Sequence, residues 1–77
     1  MMPLTMSTPG VDVKLVAIHG GRTVRQPLAD LGLTPGAILR VVQADAWGPP
    51  IVAFKDDARL ALGRGMAHKI KVEPLAS

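Results

Sequence analysis

Cysteine and tyrosine are both absent from this 77-residue chain, and the aromatic side chains number two, Trp47 and Phe54. Without cysteine, neither a disulfide framework nor a thiolate zinc site can hold a small fold together, and a reducing compartment is expected. A domain of this length buries only about 60% of the surface its unfolded chain exposes, so aliphatic packing has to carry the stability. Long apolar runs are missing too: none approaches the ~18 residues of a membrane span. Met1-Met2-Pro3-Leu4-Thr5 also lacks the charged start and long apolar stretch of a secretory signal. A soluble, cytoplasmic protein with no membrane insertion of its own is expected.

Runs of one charge are likewise lacking. The net charge is +3, from nine basic and six acidic residues. The basic ones (Lys14, Arg22, Arg25, Arg40, Lys55, Arg59, Arg64, Lys69 and Lys71) are dispersed along the chain. Nucleic-acid binding by a small barrel needs a clustered basic patch interleaved with aromatic platforms, and a groove for proline-rich peptides needs several aromatics side by side. Neither is expected from one tryptophan and one phenylalanine.

What the chain does contain is a high apolar fraction, 48% against 19% charged, the balance of a packed globule. Val11 to His19 is rich in β-branched residues, with Asp12 and Lys14 alternating with Val11, Val13 and Leu15, and this predicts a strand interrupted by Gly20-Gly21. Ahead of it, Leu4 to Gly10 is either an opening segment with Leu4 and Met6 packed inward or a frayed terminus, closed by the Pro9-Gly10 turn. Thr23-Val24-Arg25-Gln26 has the form of a capping box, and Val24, Leu28 and Leu31 fall on one helical face. Pro27 offers an alternative start for the same helix. Gly32 can end it in the left-handed conformation, and Pro35-Gly36 makes the next turn.

Ala37 to Gln43 is a second strand with Leu39 and Val41 inward and Arg40 outward. Residues 44 to 50, containing Trp47 and Gly48-Pro49-Pro50, make a loop. Ile51 to Lys55 and Ala58 to Leu62 form a hairpin around Asp56-Asp57, Gly63 to Ala67 allows one helical turn, and Lys69 to Glu73 alternates as a closing strand ended by Pro74. With no repeat or linker, residues 1–77 make one domain with its core in about 4–74. About five short strands and one or two short helices, in a chain too small for a sheet covered on both faces, predict an all-β fold closed into a small barrel.

Catalytic candidates are few. The serines, Ser7 and Ser77, lie near the termini, and His19 and His68 have no neighbouring carboxylate in sequence to orient them, so no enzyme activity is expected. His19, His68, Asp56 and Asp57 supply nitrogen and oxygen donors that could bind ferrous iron or zinc weakly, but their spacing matches no ligand motif and no cofactor is required. Gly20-Gly21 and Gly63-Arg64-Gly65 lack the lysine and hydroxyl of a phosphate-binding loop. Protein contact remains. Trp47, Leu33, Phe54 and Met66, rimmed by Arg59 and Arg64, have the composition of a docking surface, although Leu33, Phe54 and Met66 serve equally well as caps on the ends of the barrel. The candidate partner-binding set is therefore Leu33, Trp47, Arg59, Arg64 and Met66.

Five pieces occur in an order and spacing that resemble the ferrous-iron-transport protein A (FeoA) family: Pro9-Gly10, Ile18-His19-Gly20-Gly21, Leu28 to Gly36, Gly48-Pro49-Pro50-Ile51, and Leu60 to Val72. The resemblance covers about residues 4 to 74. It implies a cytosolic SH3-like barrel without catalytic residues, partnered by the cytosolic G domain of the membrane ferrous-iron transporter FeoB. The same barrel closes metal-dependent repressors, where it follows a DNA-binding segment. No such segment precedes it in this sequence, so a free-standing transport accessory is expected, with a metal-binding regulatory domain as the alternative. The chain departs from the family pattern at Pro27, at Pro49, where an aspartate is common, and at Asp56-Asp57, where a glycine is common.

Overall fold

The computed structural model describes residues 1–43, 51–54 and 58–75. The Trp47 loop, the Asp56-Asp57 turn and the Phe54 side chain lie outside the described residues. The strands expected from the sequence are present: β2 (Asp12–Ile18), β3 (Ile38–Gln43), β4 (Ile51–Phe54), β5 (Arg59–Ala61) and β6 (Ile70–Pro74). A two-residue strand, β1 (Met2–Pro3), precedes them. They form one antiparallel sheet in the order β1-β6-β2-β3-β4-β5. The period of two decides which side chains face inward. Val13 and Leu15 of β2, Leu39 and Val41 of β3, Val52 of β4, and Ile70 and Val72 of β6 are all buried in one cluster. Irregularities between Leu15 and Ala17 in β2 and between Val41 and Gln43 in β3 break the register. Such bulges sharpen the local twist, which lets a single sheet wrap around its own core.

The amino terminus is anchored. Pairing of Met2 with Val72 and Pro3 with Lys71 ties β1 to β6, and Pro3 is tolerated because β1 is an edge strand. A 3-10 turn (Leu4–Met6) then drops Leu4 into the core, while Met6 points outward at 69% exposure. Of the two residues expected to pack inward, only Leu4 does, because one tight turn cannot bury side chains two apart on the same side. Ser7 closes this turn through its N–H to the Leu4 carbonyl at 3.0 Å. Its buried hydroxyl has no hydrogen-bond partner among the described residues.

Helix α1 (Arg22–Asp30) starts earlier than either expected position. Its cap is Gly21, whose carbonyl accepts from the N–H groups of Val24 and Arg25 at 3.0 Å each, and no side chain caps it. Thr23 lies inside the first turn. The start follows from the exit of β2: Gly20 has φ +123°, and a Cβ there would stand 3.0 Å from Cγ2 of Val24. A bare backbone at Gly20 therefore lets Val24 fold back over the turn and pack on the core. Pro27 is exposed inside the helix, where water can take the carbonyl bond that its missing N–H forfeits.

The end of α1 is a Schellman motif. Gly32, at φ +88°, donates its N–H to the Ala29 carbonyl at 2.9 Å, and Leu33 donates to the Leu28 carbonyl, also at 2.9 Å. The reversal brings Leu33 back beside Leu28, and both are buried in the core. Leu31, expected on the buried face, is instead the terminal cap residue and is 51% exposed. A turn with the Ala37 N–H on the Thr34 carbonyl follows, and Gly36 N–H to Leu15 O and Leu15 N–H to Ala37 O, both 2.8 Å, set β3 against β2. Helix α2 (Arg64–Lys69) buries Ala67 and leads directly into β6.

Truncating Leu33 to alanine is expected to cost about 2–5 kcal/mol in urea unfolding, whereas Leu31→Ala should stay within about 0.5 kcal/mol of wild type. Equal losses at the two positions would contradict this helix ending. Ser7→Ala should raise the free energy of unfolding by up to about 1 kcal/mol, because it removes a buried hydroxyl that has no partner among the described residues. A fall of that size would mean the hydroxyl is bonded.

Candidate docking surface

The outer face of the sheet is electrically quiet. Lys14 lies opposite Glu73 in the β2–β6 register and Asp12 opposite Arg40 in β2–β3. Their side chains pair accordingly, Lys14 Nζ to Glu73 Oε1 at 3.8 Å and Arg40 Nε to Asp12 Oδ1 at 2.7 Å. The hydrogen bond to Asp12, and then its charge, raise the pKa of the Arg40 guanidinium above its ordinary value. Both pairs are half exposed, so each contributes only about 0–1 kcal/mol to stability. Their larger effect is on the distribution of charge, because they engage two of the three described carboxylates. The third, Asp30, accepts from Gln26 Nε2 at 3.0 Å, one turn along α1.

The cations left over lie elsewhere. Arg22 and Arg25 stand on α1, Arg59 on β5, and Lys69 at the end of α2, and none of these four forms an ion pair among the described residues. Lys71, next on β6, donates through Nζ to the His68 carbonyl at 3.0 Å.

Of the predicted docking residues, Arg59 and Arg64 are exposed, and Met66 is half-buried against the core. Arg64 and Met66 share α2, and Arg59 stands on the strand that runs into it. Trp47 falls outside the described residues. Leu33 must be removed from the set: its exposure is 0%, because the Schellman reversal points it at Leu28 and the barrel interior, where no partner can reach it.

His19 and His68 are both exposed, and the His19 N–H bonds to the Lys69 carbonyl at 2.7 Å, so the two histidine-bearing segments adjoin. Among the described residues no group of three or more His, Asp, Glu or Cys side chains converges. Asp56 and Asp57 lie outside them.

One surface feature was not anticipated from sequence. Between the second half of β2 and α1 runs a groove of about 230 Å³, lined by Val16, Ala17 and Ile18 on one side, Arg25 and Ala29 on the other, with Thr34 and Pro35 at the end. Leu33 forms its floor while remaining closed to water. A shallower recess with Arg22 and Gln26 continues it, sharing Arg25 and Ala29. The signal for it in the sequence was the unbroken apolar run Val16-Ala17-Ile18, which follows strict alternation and cannot be buried on one face alone.

The FeoA domain model matches residues 2–74. A provisionally named Fe(2+) transport protein A of Methanocaldococcus jannaschii is 36% identical over 73 residues, covering 95% of this chain and 87% of the relative. The crystal structure of an iron uptake regulatory protein, FeoA, superposes with a TM-score of 0.87 at 38% identity, covering 96% of this chain and 97% of that one. A manganese-dependent transcriptional repressor in complex with manganese reaches the same TM-score at 24% identity. In that case 96% of this chain matches 36% of the repressor, a likeness of fold alone. With the family match running from β1 to β6 and the relative and the superposed crystal structure each covering nearly the whole chain, this chain, an SH3-like barrel, belongs to the FeoA family and so to ferrous-iron transport.

Proposed function

We propose that this chain is a cytoplasmic, non-catalytic accessory of ferrous-iron uptake that docks on the cytosolic G domain of the membrane transporter FeoB and modulates transport. The observation that carries the reading is family membership across the whole barrel, residues 2–74. No helix among the described residues is long and apolar enough to cross a membrane, which is consistent with a partner that supplies the membrane part. The docking surface in this reading comprises Arg59, Arg64 and half-buried Met66, to which the sequence adds Trp47, outside the described residues. Cations on the rim speed encounter, and the apolar anchors set the lifetime of the complex.

Titration calorimetry against the purified G domain, with a guanosine triphosphate analogue and separately with the diphosphate, is expected to show saturable binding. Arg59→Glu and Arg64→Glu should each weaken it about tenfold, and more at low salt than at high. Absence of saturation with either nucleotide would sink the proposal.

The metal-binding regulatory alternative rests on the adjoining His19 and His68 segments. A ligand held only by the folded state raises its melting temperature, so ferrous iron distinguishes the two readings. The accessory reading expects equal melting temperatures for wild type and a His19→Ala, His68→Ala double variant with ferrous iron present. A rise confined to wild type would favour the regulatory one.

A further inference from the structure

We propose that the groove between β2 and α1 binds an acidic peptide segment of a partner protein, seating one apolar side chain on Val16, Ala17, Ala29 and Pro35 and setting carboxylates against Arg25 and Arg22. This site is separate from the Arg59, Arg64 and Met66 surface, and it stands whether or not the partner is the transporter.

Three observations define the occupant. The first is size: about 230 Å³ is below the ~300 Å³ at which pockets for small organic ligands begin, yet it is ample for one or two side chains of a bound segment. The second is composition. Six of the lining residues, Val16, Ala17, Ile18, Ala29, Leu33 and Pro35, are apolar, so a wholly polar ligand would leave this surface uncompensated. The third is charge. Arg25 lines the groove and Arg22 its continuation, and neither has an ion-pair partner among the described residues. The carboxylate on α1, Asp30, is engaged by Gln26, so the segment's acidic residues belong at the Arg22–Arg25 end. The carboxylates of β2 and β6, Asp12 and Glu73, are already paired on the quiet face of the sheet. Apolar floor and cationic walls together fit an apolar side chain flanked by carboxylates.

The test uses a blocked five-residue peptide with one leucine between pairs of glutamates, titrated into isotope-labelled protein and followed by amide NMR. The expected result is saturation in the millimolar range or tighter, with shifts concentrated at Ala17, Ile18, Arg25 and Ala29. Replacing the peptide's leucine by alanine, or its glutamates by lysine, should weaken it at least about tenfold. Arg25→Glu, and Ala29→Leu, which fills the groove from an exposed helix position, should do the same while leaving the melting temperature unchanged. Equal weakening by Arg59→Glu would show attraction to net charge alone and overturn the site. So would shifts outside the groove, or no saturation. Shifts at the same amides that appear on raising protein concentration without peptide would assign the groove to a second copy of this chain. Binding to vesicles of anionic phospholipid without binding the peptide would assign it to lipid headgroups. Either result overturns the proposal. G-domain binding that survives Arg25→Glu leaves the accessory reading standing by its own surface, and a G domain that never binds leaves the peptide result unaffected.

Discussion

The pairing of Leu28 with Leu33 across Gly32 is the constraint on which the rest of this barrel turns. The chain must leave a strand, form a helix over nine residues and return to the same sheet, and the return is fixed where two hydrogen bonds close the Schellman motif. That closure points Leu33 inward and starts the Thr34 to Ala37 turn, whose backbone then bonds to Leu15 on both sides. One glycine in a left-handed conformation thereby fixes the helix on the core and the register of β3 on β2. The groove is a by-product of the same geometry. Its floor is Leu33, its end wall is Thr34 and Pro35, and its sides are the two elements that the motif holds apart.

A second constraint comes from the break in β2. Before it, Asp12 and Lys14 point outward and find partners directly across the sheet; after it, Val16, Ala17 and Ile18 are half-buried and lie beside α1. The strand changes from a charged outer face to an apolar one within seven residues. Asp12 and Lys14 on the first part each pair with an opposite charge on a neighbouring strand, whereas Arg25, beside the apolar second part, has no ion-pair partner among the described residues. Local strand geometry, more than overall composition, decides where a partner of opposite charge would be attracted.

Much of the fold was legible in the sequence because its signals are local. Alternation in Val11 to Leu15 and in Lys69 to Glu73, the outward Arg40, and the glycine and proline stops each depend on neighbours a few residues away. What sequence could not show was long-range. Thr23 has the chemistry of a cap, but Gly20 and Gly21 at the exit of β2 begin the helix first. Leu31 and Leu33 are identical in type, and only the chirality of the turn at Gly32 decides that the later one is buried. The predicted docking set failed at Leu33 for this reason. The groove was missed because its walls are seven or more residues apart in sequence.

The described core contains only leucine, valine, isoleucine and alanine. Apart from the Ser7 hydroxyl, this interior makes no polar demands, and recognition falls to the surface. A chain of this size has little stability to spend on rearrangement, because one or two kcal/mol is a large share of its total. Docking by preformed features therefore suits it better than docking by refolding, and both surfaces described above are preformed: an exposed strand and helix carrying Arg59, Arg64 and Met66, and a groove whose floor is the core itself. Long-range attraction by exposed arginines raises the encounter rate without requiring the barrel to move. Discrimination then depends on whether an apolar side chain on the partner reaches the groove at the same time as its carboxylates reach the arginines, a geometric condition that net charge alone cannot satisfy.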